Sequence, residues 1–158
     1  MSGAVANGVV GAEALKPSDG RLTLTPKTEV PARSDKMKPL NSLVPMIDVR
    51  SLKRSIEFYR KLGLAAVHTH TPEGGVEPVW AWLESGGARL MLAQAGDPVD
   101  SEKQCVLFYV YCDDVVAFRS LLIQAGVDAG SIEHPFYAPR GEFRVIDPDG
   151  YVLMVTHT

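Results

Sequence analysis

From residue 42 onward, apolar side chains recur with two alternating periods. "SLVPMIDV" (42–49), "AAVHTHT" (65–71), "VWAWLES" (79–85) and "ARLMLAQ" (88–94) are short apolar runs bounded by turn residues, and they predict strands. Between the first two, "SLKRSIEFYRKLG" (51–63) follows the helical period. Leu52, Ile56, Tyr59 and Leu62 make one stripe, Ser51 is placed to cap it, and Gly63 to end it. A polar linker, residues 95–104, follows. The order then returns. "CVLFYVYC" (105–112) predicts a strand, and "DDVVAFRSLLIQAG" (113–126) a helix capped by Asp113 or Asp114 and stopped by Gly126. "SIEHPFYAPRG" (131–141) reads as a loop with room for a strand. "EFRVI" (142–146), the turn "DPDG" (147–150) and "YVLMVT" (151–156) close the chain as a hairpin.

The second half repeats the first at a fixed offset. Gly63 and Gly126, Gly87 and Gly150, Leu90 and Leu153, and Met91 and Met154 each sit 63 residues apart. One shift aligns helix stop, hairpin turn and last strand, so the pattern predicts two copies of a β-α-β-β-β unit. The fold class is α+β: two tandem modules forming a concave cleft between or under curved mixed sheets. Module one is 42–94 and module two 105–157, within a domain of 41–158. Each module has one helix to cover one face of its sheet, and the other face is left open.

Composition changes this picture little. The chain has 158 residues, 46% hydrophobic and 22% charged, with a net charge of −3. That is an ordinary globular balance. It carries no basic run for nucleic acid and no apolar stretch long enough to span a bilayer. Residues 1–40 are rich in Gly, Ala, Pro, Ser and Thr and read as a flexible N-terminal arm, in which "RLTLTP" (21–26) alternates briefly enough to add a strand. The start lacks a basic n-region and an apolar h-region, so a cytoplasmic protein is expected. Cys105 and Cys112 lie in one expected strand with opposite facing, so they are expected to be buried free thiols that do not pair.

Three stretches together resemble the vicinal oxygen chelate superfamily: "VRSLKRSIEFYRKLG", "VYCDDVVAFRSLLIQAGV" and "FRVIDPDGYVLMV". The likeness covers roughly residues 42–156. That superfamily includes glyoxalase I, extradiol dioxygenases, epimerases, thiol transferases and the metal-free bleomycin resistance proteins, so the fold leaves function open. Its metal-dependent members draw His, Gln and Glu ligands from the first and last strands of each module. Carried onto this chain, those positions fall near Val44 and Leu107 and at Met91 and Met154. None offers the nitrogen or carboxylate oxygen such ions need. The resemblance therefore implies the bleomycin-resistance type: no cofactor, no metal, and a homodimer whose two clefts are shared between chains.

Strand alternation then selects a cleft face. Leu107 brings Tyr109 and Tyr111, and Met46 comes with Asp48. Met91 and Met154 join them, as do Glu142 and Arg144, whose counterparts at the same offset are Val79 and Ala81. Trp80 and Trp82 are then expected in the core under the first helix, or on the cleft wall if the register shifts by one. Phe136 and Tyr137, in the loop before the last hairpin, either lid the cleft or anchor the loop. Glu142 is the sharpest polar candidate, suited to a cationic ligand or to acid–base work, unless it simply pairs with Arg144. His68 and His70 share a strand face, and His134 sits in a loop. These are the residues from which a displaced metal site would be built, and exposed surface histidines otherwise. His157 is expected to fray at the terminus. No phosphate loop or nucleophile elbow is present. The expected function is sequestration of an apolar or aromatic, even cationic, small molecule such as an antibiotic. The alternative is a lyase, isomerase or dioxygenase of the same superfamily.

Overall fold

The computed structural model describes residues 39 to 157. Residues 1–38, and with them nearly all of the expected arm, lie outside the described residues. Seven strands and two helices follow one another: β1 (Met46–Val49), α1 (Leu52–Lys61), β2 (Ala65–His70), β3 (Trp80–Ser85), β4 (Ala88–Gln94), β5 (Leu107–Cys112), α2 (Val115–Gln124), β6 (Glu142–Ile146) and β7 (Val152–His157). A single 3₁₀ turn, Ser101–Lys103, interrupts the linker. No helix among these residues is long and apolar enough to cross a membrane.

The helices start and stop where side-chain chemistry dictates. The Ser51 hydroxyl accepts from the Arg54 amide at 3.4 Å, and the Asp114 carboxylate from the Ala117 amide at 2.9 Å. Each cap satisfies an amide that the first helical turn leaves without a partner. Gly63 (φ 92°) and Gly126 (φ 73°) take the left-handed conformation that ends each helix.

The strands form two mixed sheets, ordered β1-β4-β3-β2 and β5-β7-β6. In both, the first strand of the module runs parallel to the last, and the last pairs antiparallel with the strand before it. Helix α1 packs on β2, β3 and β4, and α2 on β6 and β7. The second module lacks a full counterpart of β2. Two isolated bridges, Ala129 to Val145 and Glu133 to Glu142, stand in its place. Pro135, which has no amide hydrogen, lies two residues after Glu133, and Gly130 passes so close to Arg144 that a Cβ there would lie 3.2 Å from its carbonyl oxygen.

Leu83, Leu92, Leu122, Phe143, Val145 and Val155 are at most 1% exposed and form the centre of one core. Each such side chain contributes about 1.5–3 kcal/mol on burial. The modules are also clasped by polar contacts. The turn between β6 and β7 docks on the start of α1: Arg50 donates from its backbone amide and its Nε to Asp149 Oδ1 at 3.0 and 2.8 Å, and Ser55 Oγ to Asp149 Oδ2 at 3.2 Å. Tyr59 donates its hydroxyl to Asp147, and Tyr151 donates its own to the Asp48 carbonyl oxygen. Burial, with Asp147 beside it, holds the Tyr59 phenol protonated far above its usual range.

Three expectations need correction. The 63-residue offset does not run through the hairpins without a gap. Leu83 pairs with Leu90, seven residues on, but Val145 pairs with Leu153, eight residues on. The second turn is one residue longer, so the strand before it is offset by one fewer. A one-residue slip turns every side chain to the other face. Ala81 is therefore fully buried on the helix side, and Trp80 and Trp82 stand half-exposed on the open side. Cys105 is exposed and precedes β5, its thiol 3.2 Å from the Lys103 carbonyl oxygen, because the strand begins only at Leu107. Cys112 is half-buried, and desolvation pushes its thiol upward from the usual range. His157, finally, is ordered as the last residue of β7, opposite Cys112, with Arg140 against its ring.

Candidate functional site

The open face of the first sheet is built in lateral rows, because residues opposite one another across a ladder share a face. One row is His68, Trp82, Met91 and Met46; the next is His70, Trp80, Ala93 and Asp48. The two indole rings stand 6.4 Å apart at 55°. Trp82 donates its Nε1–H to Glu84 at 2.7 Å, and Glu84 lies 3.5 Å from Arg89 on the same face. Met46 remains 59% exposed.

The second sheet repeats the scheme with different side chains. Its rows are Leu107, Val152 and Ile146; Tyr109, Met154 and Arg144; and Tyr111, Thr156 and Glu142. Tyr109 and Tyr111 stack at 6.4 Å and 27°. They are 47% and 60% exposed, so an aromatic wall stands open to solvent. Phe136 and Tyr137 lie edge to face at 5.3 Å on the loop that leads into β6.

Glu142 differs from its neighbours. It is only 4% exposed although it lies on the open side. It makes no ion pair with Arg144 at 4.0 Å or less: its Oε1 instead accepts from the Tyr137 hydroxyl at 3.0 Å. That bond, more than desolvation, raises the Tyr137 phenol above its usual range, so Tyr137 stays a donor. The turn before Glu142 depends on Gly141 (φ 97°). A Cβ there would come within 2.6 Å of Ile132 Cγ2 and 3.2 Å of the His134 ring.

The structure brings the expected cleft residues onto two open faces. Of three surface hollows lined by described residues, of about 300, 380 and 190 Å³, Asp48 lines the second and Tyr137 the third. Trp80 and Trp82 belong on the open face, and strand alternation signalled them once the hairpin length was known. Among the described residues, no three His, Cys, Asp or Glu side chains gather closely enough to hold a metal ion. His68 and His70 share the open face of the first sheet, while His134 and Glu142 are in the second module.

A protein-family model described as the Glyoxalase/Bleomycin resistance protein/Dioxygenase superfamily matches residues 41–155. The chain belongs to this superfamily. Among solved structures it is similar to a bleomycin-binding protein crystallised with bleomycin, at 17% identity and a TM-score of 0.61, over 75% of this chain and 99% of that one. A bleomycin resistance determinant encoded on the transposon Tn5 matches at 17% identity and TM-score 0.62, over 75% and 98%. A glyoxalase/bleomycin resistance protein from a Streptomyces species matches at 20% and 0.54, over 72% and 96%. No curated protein matches in sequence. Likeness at this level speaks to the fold.

At Val44, Met91, Leu107 and Met154, where the resemblance places metal ligands, the side chains do not suit the metal that some superfamily members carry. Met91 and Met154 offer thioether sulfur, with Met46 and Tyr109 opposite them. Val44 and Leu107 offer only alkyl carbon. Thioethers suit soft ions and not the borderline and hard divalent ions that imidazole and carboxylate ligands hold.

Proposed function

We propose that this protein is a metal-free small-molecule-binding protein of the bleomycin-resistance type, which sequesters an apolar or aromatic ligand without transforming it. The observation that carries this reading is the pair of open sheet faces. The first is lined by Met46, Met91, Trp80 and Trp82 and the second by Met154, Tyr109 and Tyr111, and both stand open to solvent in a single chain. Contiguous exposed apolar surface of this kind marks a binding or association surface. Met packs adaptably against irregular shapes, and aromatic rings stack on planar ones. A second copy of the chain, placing one sheet's open face over the other's, completes two equivalent clefts. A homodimer with shared sites is therefore part of the proposal. The free thiols Cys105 and Cys112 fit a reducing, cytoplasmic setting.

The test is a thermal-shift screen of the purified protein against planar aromatic antibiotics and common metabolites, with metal analysis of the same sample. A ligand bound only by the folded state raises the apparent melting temperature by several degrees. Sedimentation should give a dimer. Stoichiometric zinc, nickel, manganese or iron in the purified protein, or a monomer that binds nothing in the screen, overturns the reading.

A further inference from the structure

We infer that Glu142 anchors a subsite for an organic cation, an ammonium-bearing group held between its carboxylate and the tyrosines of the second sheet's open face. This rests on the cleft-binding reading above and specifies the charge of what the cleft takes.

Three carboxylates are deeply buried among the described residues, and one is treated differently. Asp149 receives the Arg50 amide and Nε and the Ser55 hydroxyl, while Asp147 receives two backbone amides and the Tyr59 hydroxyl. Glu142 receives only the Tyr137 hydroxyl, on Oε1. Its Oε2 is buried without a hydrogen-bond partner, and it is the one such side-chain atom among the described residues. Leaving a buried acceptor unmade costs about 1–3 kcal/mol, more when it is charged. A group retained at that cost calls for a reason, and a partner that arrives with the ligand supplies one.

Among the described residues, no Lys or Arg is paired with Glu142. The ion pairs among the described residues are Arg50 with Asp149, Arg89 with Glu84 and Lys103 with Asp100. Arg144 shares the face two residues on without reaching Glu142, and Arg140 lies against the His157 ring. Beyond Thr156 and Arg144, the side chains of this face and of the loop beside it are aromatic. Tyr111 lies one strand beyond Thr156 in its row, Tyr109 stacks on Tyr111, and Phe136 backs Tyr137. Aromatic faces attract cations, and most strongly where water is excluded. Tyr137 is 60% exposed and donates to Oε1 alone, so a ligand that displaces it meets a carboxylate with no other hydrogen-bond partner.

Two isosteric probes test this: benzylammonium and ethylbenzene, alike in shape and different by one charge and the N–H donors that carry it. Affinities are measured by ligand-observed NMR for the full-length protein and for Glu142→Gln. The wild type should bind the cation at least about tenfold more tightly than the hydrocarbon at low salt. Glu142→Gln should bring the two affinities together. The free Glu142→Gln protein should also stay folded and melt close to the wild type, since the amide oxygen of Gln can still accept from Tyr137. Equal affinities in the wild type, or a preference that survives Glu142→Gln, overturn the cation subsite and leave the cleft reading standing. Binding of neither probe counts against both.

Discussion

The hydroxyl of Tyr59 donates to the buried carboxylate of Asp147 at 3.0 Å, across 88 residues of chain. Tyr59 lies on the helix of the first module, and Asp147 opens the hairpin turn of the second. The contact ties the two halves of the duplication together at a point where neither sheet pairs with the other.

Tyr59→Phe keeps the ring and removes the donor, leaving Asp147 Oδ2 buried without it. The expected loss is about 1.5–3 kcal/mol, the range for a hydrogen bond to a charged group. Urea unfolding reads it as a lowered midpoint with an unchanged slope. A variant as stable as the wild type would mean that the hydroxyl has no part in holding the modules together.

Asp147 also sets a pH dependence. Burial raises its carboxyl above the usual range, and the amides of Tyr151 and Asp149 only partly oppose this. The folded state therefore holds this proton more tightly than the unfolded chain. Its contribution to stability is fullest in acid and falls as pH rises from about 4 through the folded pKa, then stays level. Asp147→Asn removes this titration. The variant's stability relative to wild type should thus increase over that window, measured by unfolding at a series of pH values. A constant difference from pH 3 to pH 7 would exclude the raised carboxyl.

Gly150 has φ 90°, and a Cβ there would lie 2.6 Å from the Ser101 carbonyl oxygen and 2.9 Å from its Cα. Backbone atoms cannot step aside as a flexible side chain does. Gly150→Ala should therefore cost at least about 2 kcal/mol, from the left-handed backbone and the clash together. Gly74→Ala, at φ 77° with nothing within 4 Å, should cost about 1 kcal/mol. Thermal unfolding of the two variants in parallel separates the clash from the backbone term.

Adjacent residues of β3 should behave as opposites. Leu83 is fully buried, so Leu83→Ala should cost about 2–5 kcal/mol of stability. Trp82 is half-exposed on the open face beside Met91. Trp82→Ala should cost less stability and reduce ligand binding or dimer formation instead. If Trp82→Ala proves the more destabilising of the two, the register of β3 is reversed.

Much of this architecture was legible in the residue pattern. The stripe of Leu52, Tyr59 and Leu62, the caps at Ser51 and Asp114, and the stops at Gly63 and Gly126 each depend on atoms within a few residues, so local chemistry decides them. The facing of Trp80 and Trp82 was harder to see. It depends on hairpin length, and "SGGA" and "DPDGY" differ by one residue whose effect appears only when the strands are paired. Glu142 shows the same limit. Its place on the open face follows from alternation. The choice of Tyr137 over Arg144 as its partner depends on how the loop before β6 folds back.

The sequence by itself determined the duplication, the two helices, the open-faced sheets and the lack of metal-suited donors at Val44, Met91, Leu107 and Met154. These follow from side-chain type and period, which every residue carries with it. Only the tertiary structure decided which face each tryptophan takes, and how the "DPDG" turn clasps the first helix. It alone left one oxygen of Glu142 buried and unmatched. Those outcomes depend on distances between residues far apart in the chain, and a hydrogen bond forms or fails within a few tenths of an ångström.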